Sequence, residues 1–496
     1  MSDPADLTAI EARRMIGRRQ LSPVELAQAC IARVEALDPA VNAVVARNFD
    51  RLMDEAHGAE AAVARGEPLG ALHGLPVAIK DMNDVAGLPT TYGSEIFADN
   101  VPDSDDSLVA SVRAAGGLIL GKTNVPEWSA GANTRNRVFG VTANPYDLER
   151  TCAGSSGGSA VALATRMAPL ATGSDLGGSL RNPAAYCGVV GFRPSPGVVP
   201  GTTSEMALLP MSTSGPMART AADAALLLSV LSRPDRRDPW SQTGGGRAAA
   251  PDSASLAPLR APDLSRLRVA ATEDFGFAPT ESVVREAFRD RVRRLASHLR
   301  IEHATPDCPQ ADRIFAVLRA VGFLGTHRDR MERYPEKVGP NVRANVEEGL
   351  RYSARDVAEA LAAQAVYYRA WQNFFESVDF VLSPAVTVSP RNWRELYPAE
   401  IDGQPTQSYY HWLALAYATT IAGHPSVTIP CGTDANRMPF GLQIVGRRND
   451  DAGVLAVAAE LEAVISSDAS MRLSRPDLDA LAAARPLREV EGFRDL

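Results

Sequence analysis

Two glycine- and serine-rich segments constrain the fold of this chain more strongly than any other feature of its sequence. The first reads GSSGGS over residues 154–159, and the second reads GGSLR over residues 177–181. The residues between them predict a helix over 160–167, followed by a short strand. A helix of about ten residues spans roughly 15 Å, and a strand of about five residues returns nearly the same distance. The sequence therefore predicts a turn–helix–turn–strand unit that brings Ser155 and Ser179 together.

Short apolar runs alternate with helical patterns in the N-terminal half of the chain. Ser22 and Glu25 form a capping box with Pro23 at the first helical position, which predicts a helix over residues 23–37. The further elements predicted here are a helix over 104–115 and strands over 77–79, 118–120 and 170–172. Such alternation is typical of an α/β fold with a large, mixed, mostly parallel sheet.

The second half of the chain begins with a change of composition. Residues 234–264 are rich in Pro, Gly, Ser and Ala, which predicts a loop or an insertion. The elements predicted after it are an amphipathic helix over 281–300, a long helix over 353–376, a strand over 380–382, paired strands over 426–429 and 442–445, and a last core helix over 453–465.

Composition excludes several classes of protein. The formal net charge of −8 argues against nucleic-acid binding, which normally requires a basic face. No apolar run approaches the roughly 20 residues of a membrane span, and no secretory signal is visible. The five cysteines are far apart, odd in number and without a C-x-x-C motif. We therefore expect no metal site, no disulfide framework, no membrane partner and a cytoplasmic location.

A serine nucleophile needs a base, and the sequence offers two kinds of candidate. None of the seven histidines has a neighbour that identifies it as a base. Lys80 follows the apolar run 75–79, so burial at a strand end could keep it neutral, although a lysine there could equally reach water. The N–H groups of residues 176–179 could converge on one oxygen as an oxyanion hole, although such a segment could equally be a flexible loop.

Six segments together resemble the amidase signature family. They are GLPVAIKD (74–81), GKTNVPEW (121–128), AGSSGGSA (153–160), GSDLGGSLRNPA (173–184), GHPSVTIPCG (423–432) and PFGLQIVG (439–446). The resemblance covers a catalytic core of about 20–230 and 375–465 and is loose between about 234 and 370. It implies a single α/β domain over 1–496, with a large sheet covered by helices on both sides and a variable substrate-side region over about 265–370.

The resemblance also implies a Ser–cisSer–Lys triad. Ser179 would be the nucleophile that forms an acyl-enzyme, Ser155 the bridging serine after a cis peptide bond, and Lys80 the base. The implied oxyanion hole consists of the N–H groups of Leu176, Gly177, Gly178 and Ser179, and Ser129 would line the acyl pocket. No cofactor or metal is implied. The expected partner is a small amide-type substrate such as an aryl or alkyl amide, an oligoamide or a carbamate, and a homodimer is left open.

Several alternatives stay open at this point. GSSGG also satisfies the G-x-S-x-G elbow of a Ser–His–Asp α/β-hydrolase, with Ser156 as nucleophile, provided that a strand precedes it. A glutaminase subunit of an amidotransferase carries the same signature, and a non-enzymatic binding protein is a third class. The loop 206–211 and the aromatic residues of 367–375 would each be either core or pocket lining.

Overall fold

An eleven-stranded sheet forms the centre of the molecule. The structure is a computed structural model that describes residues 3–241 and 259–494. In chain order the strands are β1 (Val44–Ala46), β2 (Pro76–Lys80), β3 (Leu118–Thr123), β4 (Leu170–Asp175), β5 (Val190–Arg193), β6 (Thr213–Ala218), β7 (Arg268–Ala271), β8 (Arg300–His303), β9 (Phe380–Pro384), β10 (Ser426–Thr433) and β11 (Pro439–Val445). All the strands predicted from the sequence lie within this set.

The order of the strands in the sheet is β1-β3-β2-β4-β6-β5-β10-β11-β9-β7-β8. Four neighbouring pairs are parallel, namely β3/β2, β2/β4, β9/β7 and β7/β8. The other six pairs are antiparallel and include the whole centre of the sheet. The mixed α/β fold is confirmed, but the prediction of mostly parallel pairing needs correction. Apolar runs report that a strand is buried, whereas its direction depends on how each connection crosses the sheet.

Fourteen α-helices accompany the strands within the described residues. They are α1 (Ala9–Gly17), α2 (Pro23–Val41), α3 (Phe49–Arg65), α4 (Ser107–Ala114), α5 (Gly157–Ala164), α6 (Arg181–Cys187), α7 (Ala221–Leu231), α8 (Ser282–Leu295), α9 (Ala311–Arg333), α10 (Pro340–Arg351), α11 (Ala354–Ser377), α12 (Ala414–Ala422), α13 (Asp451–Ser467) and α14 (Leu478–Ala482). Buried apolar side chains from these helices and from the sheet form one large cluster. Within the described ranges, no helix has the length and apolarity needed to cross a membrane.

Local capping signals explain where the best-predicted helices begin. Ser22 and Glu25 form the expected capping box before α2, and Ser353 forms a second one with Asp356 before α11. Helix α4 begins at Ser107, later than predicted, because the Asp106 side chain accepts a hydrogen bond from the Leu108 N–H and caps the helix there.

Part of the predicted loop over 234–264 lies outside the described residues. Its described flanks, 234–241 and 259–263, contain neither helix nor strand. The chain then adds β7 and β8 to the edge of the sheet beside β9. Helices α9 and α10, which the sequence analysis did not predict, follow β8. The division of the chain into core and substrate-side regions stays a prediction.

The parallel pairing of β2 with β4 positions the site. Val77 pairs with Leu170 and Ala78 with Ala171 in this register. Both strands therefore end at the same edge of the sheet, β2 at Lys80 and β4 at Asp175. The glycine-rich turn before α5 and the loop after β4 meet at this edge.

Candidate active site

The amine of Lys80 is fully buried and forms no ion pair with a carboxylate among the described residues. Its side chain is 0% exposed at the end of β2. Its Nζ donates hydrogen bonds to Ser155 Oγ at 2.7 Å and to Ser174 Oγ at 2.8 Å. The expectation that a strand-end lysine could equally reach water is thus resolved, because this side chain turns into the protein.

The burial of Lys80 changes its protonation. Removal from water disfavours the charged ammonium and lowers the pKa of Lys80 to about 7, while the negative charge of Asp175 opposes this shift. Near neutral pH a large fraction of the amine is therefore unprotonated. A neutral amine keeps a lone pair that can accept a proton from the Ser155 hydroxyl.

Two arginines bind the carboxylate of Asp175 and neutralise its charge. Arg181 Nη2 lies 2.9 Å and Arg193 Nη1 lies 3.3 Å from Asp175 Oδ1, and all three side chains are fully buried. Although burial alone would raise the pKa of Asp175, these guanidinium groups hold it well below its usual range. Asp175 is thereby already paired and does not form an ion pair with Lys80.

The structure brings Ser155 and Ser179 to one cavity, as the spacing of the two segments predicts. The Ser156 N–H donates to Ser179 O at 3.2 Å, which ties the two glycine-rich segments together. Both Ser155 and Ser179 line the cavity. The peptide bond between Gly154 and Ser155 is cis, as the family resemblance implies.

The loop of the predicted oxyanion hole is shaped by the same Asp175 carboxylate. The Gly178 N–H donates to Asp175 Oδ1 at 2.9 Å, and the Leu180 N–H donates to Oδ2 at 3.2 Å. Gly178 adopts φ +101°, a conformation that favours glycine. Leu176, Gly177 and Ser179 line the cavity. Since the Gly178 N–H is already bonded to Asp175, the other three N–H groups are the better candidates to bind a substrate oxygen.

Ser156 has a different environment from Ser179. Its hydroxyl donates to Ser174 O at 3.4 Å and accepts from the Ser174 N–H at 3.3 Å. No histidine among the described residues is bonded to it, and the preceding strand Asp147–Thr151 belongs to a small two-stranded ribbon with Ala143–Asn144. The segment before Ser156 therefore does not come from a strand of the central sheet, and no imidazole contacts Ser156 among the described residues, although the nucleophile-elbow alternative requires both.

The cavity has a volume of about 460 Å³ and a wall that is partly aromatic. Ser129 lies in it as the resemblance implies, and its Oγ is buried without a partner among the described residues. The lining also includes Met206, Leu209 and Met211 from the loop 206–211. The aromatic residues of α11 do not line it: Trp371 instead packs on Phe375 and His424 in the core.

Sequence reasoning did not identify Ser174, Asp175 and Arg193 as residues of the site. Ser174 and Asp175 lie inside the GSDLGGSLR motif, with only Leu176 between them and the paired glycines, so a polar pair at the end of a buried strand was the available signal. Arg193 gave no such signal, because only tertiary structure places it against Asp175. Within the described ranges, no group of three or more His, Cys, Asp or Glu side chains could hold a metal ion.

Comparisons with known proteins relate the chain to amide-cleaving enzymes. The sequence profile of the family named Amidase matches residues 25–455. An acylamidase of Rhodococcus erythropolis is 34% identical over 463 residues, which span 92% of this chain and 95% of that protein. A glutamyl-tRNA(Gln) amidotransferase subunit from Salinispora tropica is 33% identical over 495 residues, spanning 94% and 98% respectively.

A solved structure shares the whole fold. The crystal structure of a bacterial aryl acylamidase belonging to the amidase signature enzymes superposes with a TM-score of 0.85 at 26% sequence identity. The match covers 97% of this chain and 99% of that protein. The similarity therefore extends over the sheet, the glycine-rich segments and the region between 265 and 370.

Proposed function

Because this chain belongs to the Amidase family, whose members are the amidase signature enzymes, we propose that it cleaves its substrate through an acyl-enzyme on Ser179. The chain is a hydrolase of carbon–nitrogen amide bonds. The observation that carries the proposed mechanism is the contact of Lys80 Nζ with Ser155 Oγ at 2.7 Å, in the cavity that Ser179 also lines.

The proposed proton path follows from this contact. Neutral Lys80 accepts the proton of Ser155, and Ser155 accepts the proton of Ser179 as Ser179 Oγ attacks the amide carbonyl. The path then returns a proton to the amine, because an amide anion leaves poorly. Water finally attacks the acyl-enzyme and gives a proton to Lys80 through Ser155; the same path returns that proton to Ser179 Oγ as the carboxylic acid leaves, which restores neutral Lys80.

The negative charge that develops on the carbonyl oxygen needs fixed donors. The N–H groups of Leu176, Gly177 and Ser179 are proposed for this role, and each donor in such a site contributes about 3 kcal/mol to the transition state. Asp175 supports them by fixing the loop through Gly178 and Leu180. Rigid donors do not have to reorganise during the reaction, so their hydrogen bonds favour the transition state.

The proposed substrates are aryl or alkyl amides, with oligoamides and carbamates as further members of the same chemical class. The support is the wall of the cavity, to which Phe97, Trp128 and Met206 contribute. Ser129 Oγ is proposed to hydrogen-bond the acyl side of the substrate. A cytoplasmic location is also proposed, because all five cysteines are free thiols.

Covalent labelling tests the proposed function. A fluorophosphonate is expected to inactivate the enzyme by modifying one residue, in the tryptic peptide that follows Arg166 and ends at Arg181. Ser179→Ala should abolish labelling, and the matched variant Ser156→Ala should keep it. An adduct on Ser156, together with an active Ser179→Ala enzyme, would refute the assignment.

The glutaminase alternative gives a different result. A glutaminase component of an amidotransferase would release ammonia from glutamine, co-purify with partner proteins and leave aryl amides intact. Assays of the purified chain with glutamine and with p-nitroanilides therefore separate the two activities.

A further inference from the structure

His327 is a buried histidine in the wall of the candidate active site. It lies on α9 and lines the cavity that holds Ser155 and Ser179. The residue is only 6% exposed. Its ring centroid lies 4.9 Å from that of Trp128 and 5.3 Å from that of Phe323. The imidazole is therefore the polar member of an aromatic patch that faces the substrate site.

The imidazole of His327 is not satisfied by the protein. Its Nδ1 is buried and has no hydrogen-bond partner among the described residues. Burial, reinforced by the charge of Arg330, lowers the pKa of His327 to about 3, so the ring is neutral at physiological pH. A neutral imidazole offers one donor and one acceptor, and most buried polar groups in proteins find a partner. Nδ1 itself is sealed from the cavity, whereas Nε2 has no hydrogen bond to a described residue and is not sealed, so Nε2 is the ring atom that a group on the substrate can reach.

A second buried histidine shows what a purely structural role requires. His424 packs on Trp371 and Phe375, and its pKa is likewise lowered by burial to about 3. Both of its ring nitrogens have partners, however: Nδ1 lies 3.0 Å from Gly446 O, and Nε2 lies 3.2 Å from Gln372 Nε2. His424 does not line the cavity. The two histidines share burial and neutrality, and they differ in whether the protein satisfies their hydrogen bonds.

The surroundings of His327 indicate what kind of group it would meet. Tyr92 and Trp128 stack with centroids 5.0 Å apart, and Phe97 meets Trp128 edge-on at 5.2 Å. All three, with Phe323, are half-buried and line the cavity. Such rings contact flat aromatic groups favourably. Ser129, adjacent to Trp128, adds a hydroxyl as a second buried polar group without a partner among the described residues.

We propose that His327 is a specificity-determining residue that hydrogen-bonds a hydroxyl substituent on an aromatic ring of the amide substrate. The proposal rests on the amidase function proposed above. A site with an unpaired buried polar group discriminates against an analogue that lacks the matching group, because that analogue leaves the polar group unsatisfied. The enzyme should therefore prefer a ring hydroxyl over a ring methyl of similar size.

Matched substrate pairs test this preference. Acetanilides and benzamides with a hydroxyl or a methyl group at ring positions 2, 3 or 4 are compared by kcat/KM. For at least one position, the wild-type enzyme is expected to favour the hydroxyl by about tenfold or more. His327→Phe should abolish this ratio by lowering kcat/KM for the hydroxyl compound much more than for the methyl compound. His327→Gln, which keeps a hydrogen-bonding group, should restore part of the ratio.

His424→Phe is the matched control and should leave the hydroxyl-to-methyl ratio unchanged. Absence of any preference in the wild-type enzyme, or an equal effect of His327→Phe on both compounds, would overturn the inference while Ser179 labelling and amide hydrolysis persist. A wild-type enzyme that is neither labelled nor active on any amide would instead overturn the proposed function, and this inference with it.

Discussion

Two buried lysines at adjacent strand ends have opposite environments. Lys80 ends β2, and Lys122 lies on the neighbouring parallel strand β3, paired in register with Ile79. Both side chains are 0% exposed. Lys122 Nζ lies 3.0 Å from Asp81 Oδ1 and donates to Asn83 O at 2.7 Å and Thr90 Oγ1 at 2.6 Å. Lys80 donates to two serine hydroxyls.

The comparison separates a buried lysine that forms an ion pair, Lys122, from one whose amine is largely neutral, Lys80. Burial lowers the pKa of both amines, but at Lys122 the carboxylate of Asp81 opposes this shift directly. The carboxylate whose charge opposes the lowered pKa of Lys80 is that of Asp175, which Arg181 and Arg193 already bind. A buried lysine can therefore be largely neutral, as the proposed role of Lys80 requires, where other cations neutralise the neighbouring carboxylate. It forms an ion pair where a carboxylate has no other cation, as at Lys122.

The largest expected effect comes from removing the amine of Lys80. Lys80→Met should lower kcat/KM for an amide by about 10³-fold or more, because among the described residues the amine of Lys80 is the basic group that is hydrogen-bonded to Ser155 Oγ. Esters should lose less activity, since their leaving groups need less protonation. Steady-state kinetics on a matched anilide and ester would measure both losses. Near-normal amide turnover by the folded variant would refute the assignment of Lys80 as base.

Lys122→Met should lower the free energy of unfolding. It leaves the Asp81 carboxylate buried without its cation, which typically costs about 3–5 kcal/mol of unfolding free energy. Urea denaturation followed by circular dichroism would measure the loss. The double variant Lys122→Met/Asp81→Asn should recover part of it. A single variant as stable as the wild type would show that the ion pair contributes nothing net.

The pH dependence of kcat/KM should report the titration of Lys80. The protonated amine cannot act as a base, so kcat/KM should rise about tenfold per pH unit below the pKa of about 7 and reach a plateau above it. Initial rates from pH 5 to 9 would show this profile. Activity that falls with rising pH across that range would contradict a neutral lysine base.

The smallest expected effect is a gain in stability from Lys80→Met. The folded-state pKa of about 7 lies below the ordinary 10.5, so between these values the unfolded chain binds a proton that the folded chain does not. Wild-type stability therefore falls as pH drops from 10.5 towards 7, by up to ~1.4 kcal/mol per pH unit. Relative to the wild type, the variant should gain about 1–3 kcal/mol at pH 8 and little near pH 10.5. Equal free energies of unfolding for both proteins at every pH would show that burial does not lower the pKa of this amine.

The sequence identified the parts of the site that have local signals. The glycines around Ser155 and Ser179, with the helix and strand between them, predict that the two serines meet, and the structure places both at one cavity. The sequence also predicts where the helices after Ser22 and Ser353 begin, because a capping box joins residues that are only three positions apart. The aromatic residues of α11 were ambiguous, because helical periodicity reports that a side chain is buried and does not report what it faces.

What the sequence by itself determined is therefore a part of the helices and strands, the α/β class, the family resemblance and the candidate triad of Lys80, Ser155 and Ser179. Only the tertiary structure decided which charges meet. Arg193 reaches Asp175 from a different strand, and α9 brings His327 to Trp128 across about 200 positions of sequence. The physical reason is that protonation and hydrogen bonding depend on distances of a few ångströms between groups remote in sequence, and no local pattern encodes those distances.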